Sequence, residues 1–132
     1  MKFSIQRDTL LNALQRISSV IEKKHTMEIL GNILFEAKKE SGSDKITLSG
    51  TDLEVGIQMS LDAQIHEAGR MTLSMKHILD ITKELPNQMM NFNLKPNHWV
   101  EITCAKARFN LVGIAADGYP SLPLFEEKNY HF

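Results

Sequence analysis

Apolar residues fall at two spacings along this chain, and each change of spacing marks an element. In Lys2-Phe3-Ser4-Ile5-Gln6, Phe3 and Ile5 share one face, which predicts a short strand. From Asp8 the spacing becomes helical. Leu10, Leu11, Leu14, Ile17 and Ile21 form a stripe with Ala13 and Val20 beside it, while Arg7, Asn12, Gln15, Arg16, Ser19 and Lys23 take the other positions. That is an amphipathic helix of about four turns. Three strands follow: Asn32–Lys39, Lys45–Gly50 after the turn cluster Ser41-Gly42-Ser43-Asp44, and a third in which Leu53, Val55, Ile57, Met59 and Leu61 recur at every second residue. Period-two alternation of this kind belongs to antiparallel strands with one buried face.

The pattern then restarts. Arg70–Ser74 predicts a strand, Ser74 caps a helix running to Leu85, and Pro86 lies just past its end. Strands follow over Met90–Lys95, around Val100, Ile102 and Cys104, and around Phe109 and Leu111. A fixed offset of 68 places Phe3 on Met71, Ile5 on Leu73, Leu10 on Ile78, Leu11 on Leu79, Ala13 on Ile81 and Ile17 on Leu85; only Leu14 fails, landing on Thr82. Two copies of one strand-helix-three-strand unit, over about 1–62 and 70–115, can pack their helices together and join their sheets around one core. Gly69 joins the halves, where a tight reversal calls for a positive φ.

Composition narrows the class. The chain has 132 residues, with 15 Lys+Arg, 16 Asp+Glu and one cysteine. That is the length of one domain, or of two small pieces sharing one core, with enough buried surface to fold without disulfides or metal. A net charge of -1 excludes a strongly basic nucleic-acid binder but leaves room for a local basic face. No apolar run reaches the roughly 20 residues of a membrane span, and the first residues carry charge where a signal peptide needs an apolar stretch. The expectation is a cytoplasmic protein.

No catalytic constellation stands out, and no cofactor is expected. The seven glycines are scattered, so there is no phosphate loop. His25 and Glu28 lack the third ligand that a catalytic zinc site needs, and His66, His77, His98 and His131 form no pair at ligand spacing. Cys104 reads as a small core residue. The polar helix faces say more. Arg7, Arg16, Lys23 and Lys24 lie around the first helix, and Lys76, His77 and Lys83 around the second, diluted by Asp8, Glu22, Asp80 and Glu84. Such faces are either ordinary solvated surface or a loose, salt-sensitive phosphate surface.

Several segments carry a family resemblance. Met1-Lys2-Phe3 followed by Leu10-Leu11, then Ile29-Leu30-Gly31-Asn32-Ile33-Leu34, resembles the bacterial sliding clamp, the beta subunit of DNA polymerase III. Leu48-Ser49-Gly50-Thr51-Asp52-Leu53-Glu54-Val55, His66-Glu67-Ala68-Gly69, Leu85-Pro86, Ala107-Arg108-Phe109 and the run Ala116–Pro123 follow in the family's order. The resemblance covers nearly the whole chain but only the first of three clamp domains. It places that domain at 1–121 and a linker toward a second domain at 122–132.

The resemblance implies an α+β clamp fold, with two units related by pseudo-two-fold symmetry, helices lining a ring and antiparallel sheets outside. It implies a non-enzymatic processivity factor that encircles duplex DNA and tethers the polymerase. Lys24 and Lys76 stand where the family places DNA-contacting basic residues, although Lys24-His25 replaces the usual Arg-Pro. His77, Ile81, Leu85, Phe109 and Leu111 correspond to the surface that closes a head-to-tail dimer. Polymerase subunits and the clamp loader would dock on the later domains. The residues alone also allow a small-ligand or peptide-binding α+β domain with two quasi-equivalent halves, or a hydrolase whose dispersed residues leave no motif.

Overall fold

A computed structural model describes residues 1–20, 31–40, 43–51 and 56–119. Its strands are β1 (Lys2–Gln6), β2 (Asn32–Glu40), β3 (Ser43–Thr51), β4 (Gly56–Asp62), β5 (Gln64–Glu67), β6 (Gly69–Ser74), β7 (Met89–Leu94), β8 (Trp99–Cys104) and β9 (Ala107–Val112). The helices are α1 (Arg7–Val20) and α2 (Met75–Glu84). Leu53 and Val55, expected to begin the third strand, lie outside the described residues. Ser43 and Asp44, expected in a turn, open β3 opposite Glu40 and Lys39.

Two antiparallel sheets form, in the orders β5-β1-β7-β8-β9 and β4-β3-β2-β6. Each half of the chain gives three consecutive strands to one sheet and its first strand to the other. The register repeats as well: Phe3 faces Phe92 and Ile5 faces Met90, while Met71 faces Phe35 and Leu73 faces Ile33. The positions that the offset of 68 equates therefore do the same job twice.

The sheets meet at three aromatic rings. Phe3 stacks on Phe92 with centroids 4.6 Å apart and planes 7° apart, and Phe35 of the other sheet closes the group at 6.2 and 5.9 Å. Offset stacking of this kind adds to the burial of the rings themselves. Leu10, Leu14 and Ile17 of α1, Ile78 of α2 and Leu85 just past it extend the same core.

The two helices pack on one another, α1 also against β1, β3 and β4, and α2 against β2 and β6. Ser74 caps α2, its Oγ accepting the His77 N–H at 3.3 Å. Across the pair, the helix ends exchange partners. The N–H of Arg7 donates to the Gln88 carbonyl at 3.0 Å and that of Asp8 to Asn87 Oδ1 at 3.2 Å. In return the Arg7 guanidinium donates to the carbonyls of Thr82 (3.0 Å) and Lys83 (3.1 Å). Donors at the start of α1 and acceptors at the end of α2, where the Thr82 carbonyl also accepts the Leu85 N–H at 3.3 Å, are thus met by the other unit.

Gly69 opens β6 opposite Ala37 with φ +158°, a positive φ that L side chains rarely adopt. Proximity calls for glycine there as well: a Cβ would sit 2.9 Å from Met1 Cβ and 3.3 Å from Met1 N. The Met1 ammonium is 3.0 Å from Glu67 Oε1, and that hydrogen bond and charge hold the Glu67 carboxyl below its usual range.

Candidate functional site

The polar faces of the two helices are the site that the sequence nominates. Lys76 stands in the first turn of α2, its side chain 79% exposed, with Nζ 3.1 Å from Asp80 one turn on. An exposed ion pair of this kind is worth little, so Lys76 can exchange Asp80 for another anion at small cost. His77, Lys83 and Arg16 are exposed on the same two helices. Arg7 does not join them. Its guanidinium is held by the Thr82 and Lys83 carbonyls and by Asp8 (2.7 Å), so it is a strut between the helices rather than a free cation. Lys24, together with Lys23, His25 and Glu28, lies outside the described residues.

The expected partner surface divides differently. Phe109 and Leu111 are half-buried on β9, alternating with exposed Arg108, Asn110 and Val112. Among the described residues β9 pairs with β8 alone, so its outer edge presents open backbone groups. Ile81 is half-buried against the core and His77 is exposed. Leu85 is only 5% exposed and sits within the core, where it has little left to offer a partner. Beside β9 lies a feature the sequence reading passed over: Trp99, 43% exposed, faces Val112, 61% exposed. Single exposed apolar residues are ordinary, and only their pairing on adjacent strands marks the spot.

Among the described residues no three His, Cys, Asp or Glu side chains come together as a metal site, and no helix is long and apolar enough to cross a membrane. Cys104 is buried, its thiol 3.7 Å from the Pro86 carbonyl. Ser4 Oγ lies 3.1 Å from His66 Nε2 and donates to Asn91 Oδ1 at 2.6 Å. With its proton on Asn91, that hydroxyl is a structural tie between β1, β5 and β7 rather than an activated nucleophile.

Residues 1–123 match the family model for the DNA polymerase III beta subunit, N-terminal domain. The chain belongs to this family. Its relatives include the beta sliding clamp of Synechocystis sp., 32% identical over 132 residues, covering 96% of this chain and 33% of that protein. Another is the beta sliding clamp of Bacillus subtilis, 29% identical over 135 residues, covering 96% of this chain and 35% of that protein. The crystal structure of the Bacillus subtilis DNA polymerase sliding clamp superposes with a TM-score of 0.87 at 28% identity, over 98% of this chain and 35% of that one. The Caulobacter crescentus sliding clamp gives 0.83 at 31% identity, over 92% and 32%. The chain thus has the clamp fold and spans about a third of the length of the relatives it matches.

Proposed function

We propose that this domain forms part of a ring that encircles duplex DNA without regard to sequence and tethers the replicative polymerase in the cytoplasm, with no catalytic step of its own. The observation that carries this reading is the match of residues 1–123 to the beta-subunit N-terminal domain. Residues 1–121 make the first clamp domain, and 122–132 lead toward the second. The α1–α2 face lines the ring, with Lys24 and Lys76 touching phosphates. A sliding contact needs a point charge rather than a planar fork, so lysine suffices at these positions. The β9 edge, through Phe109 and Leu111 with smaller parts for His77 and Ile81, meets the partner subunit head to tail, while Leu85 supports that surface from the core. Polymerase subunits and the clamp loader engage later domains.

The test is a double change, Lys24→Glu with Lys76→Glu, in the full-length protein. Loading onto DNA is expected to fall and the salt-sensitive part of binding to weaken, with thermal unfolding unaltered because Lys76 is exposed. DNA association that matches the parent at low salt would remove both residues from the DNA face.

A further inference from the structure

Strand β5 lies at one edge of the five-stranded sheet, beside β1. An edge strand offers unpaired N–H and C=O groups to any other strand that reaches it. In this chain the backbone of Ile65, in the middle of β5, is already occupied from the other sheet. Its N–H donates to Asp44 Oδ2 at 3.3 Å, and its carbonyl accepts from Lys39 Nζ at 3.2 Å. Lys39 and Asp44 sit directly opposite one another on β2 and β3. Such a cross-strand pair ordinarily forms a salt bridge, yet among the described contacts these two do not bridge; each charge is directed at Ile65. Acceptor meets donor and donor meets acceptor, as a neighbouring strand would arrange them.

The geometry points to a latch: Lys39 and Asp44 imitate a neighbouring strand, tie the two sheets together and bar β5 from pairing with a second copy of this chain. The edge of β6 is closed in an analogous way by Ile114, whose N–H and carbonyl exchange 3.1 Å bonds with Thr72. With β5 and β6 both occupied, β4 and β9 are the edges left open among the described residues.

The experiment compares the chain with Lys39→Met/Asp44→Ala and with the exchanged pair Lys39→Asp/Asp44→Lys. Backbone amide exchange is read at Ile65, with Leu48 in the interior of β3 reporting that the fold is intact. Exchange at Ile65 is expected to quicken at least tenfold in both variants, and sedimentation is expected to show more association than the parent at equal concentration. The exchanged pair is the discriminating arm. It would preserve a simple hairpin ion pair, but it sets a cation at the N–H and an anion at the carbonyl. Restored protection in the exchanged pair, or unchanged exchange at Ile65 in the first variant, would overturn the latch. Faster exchange with sedimentation unchanged would overturn its role against a second copy.

Discussion

Ala105 illustrates how a single residue can hold avoidable strain. It turns the β8–β9 hairpin with φ 53°, a conformation in which a Cβ crowds the following carbonyl. Ala105→Gly is expected to stabilise the domain by roughly 0.5–1 kcal/mol, the relief of strain exceeding the greater freedom of glycine in the unfolded chain. A lower unfolding midpoint in urea would contradict this. Tyr119 makes a second case. Its hydroxyl donates to the carbonyls of Ser49 (3.2 Å) and Asn32 (3.4 Å). Desolvation pushes its pKa up to about 12, against a smaller opposite effect of the Thr51 backbone. The raised value means that the folded state favours the phenol. That contribution is whole below pH 10 and shrinks as the pH climbs through about 12. Spectroscopic titration, with Tyr119→Phe identifying the signal, is expected to find this tyrosine ionising well above the ordinary range; ionisation near 10 would refute its burial.

At the scale of elements, the exchange of partners between α1 and α2 has a measurable signature. Arg7→Ala strips two carbonyls at the end of α2 of a charged donor and is expected to cost about 2 kcal/mol. Arg7→Lys should regain only part of it, since an ammonium cannot span both carbonyls as the guanidinium fork does. Urea midpoints of the two variants that coincide with the parent would show the strut to be idle. Sequence could not have revealed this role, because Arg7 looks like any other cation on a polar helix face until α2 is laid beside it. The elements themselves were legible wherever several apolar residues shared one spacing, as in α1, β2, β6 and α2. Strand β5 was not, since Ile65 is its one apolar residue and one residue has no period. The single misfit in the repeat also resolves. Thr82 is fully buried like Leu14, its hydroxyl bonded to the Ile78 carbonyl at 2.6 Å, so the position is core in both halves despite its polar atom. Of the candidate site, the exposure of Lys76 could be read from helical phase. The burial of Leu85 was signalled by the repeat alone, which sets it on Ile17 of the α1 core stripe.

For the molecule as a whole, the open edges and the modest charge set what this chain does alone. A body of 132 residues is about 35 Å across as a compact solid and cannot surround a duplex by itself. Without a closed ring, only a few lysine–phosphate contacts would remain, and these weaken steeply with salt. The 132-residue chain is therefore expected to bind duplex DNA loosely, to release it at physiological salt, and to self-associate through β4 or β9. Sedimentation and a salt titration check both statements; a strictly monomeric chain that grips DNA tightly at physiological salt would contradict the proposed function.

The crossing of first strands between the sheets also governs how the chain can fold. β1 belongs beside β7, and β6 beside β2, so neither half can complete a sheet without the other. A chain cut between the halves would leave two incomplete sheets with bare apolar faces, and partial structures should be scarce at equilibrium. Distant pairings of this kind must close a long loop before they are rewarded, which slows folding. During synthesis the consequence is one of order. β1 leaves the ribosome ahead of the other strands; β5 can pair with one of its edges, yet β7, its partner on the other, emerges only after both helices have been made, so β1 must wait, unpaired on that side, for most of the domain to arrive.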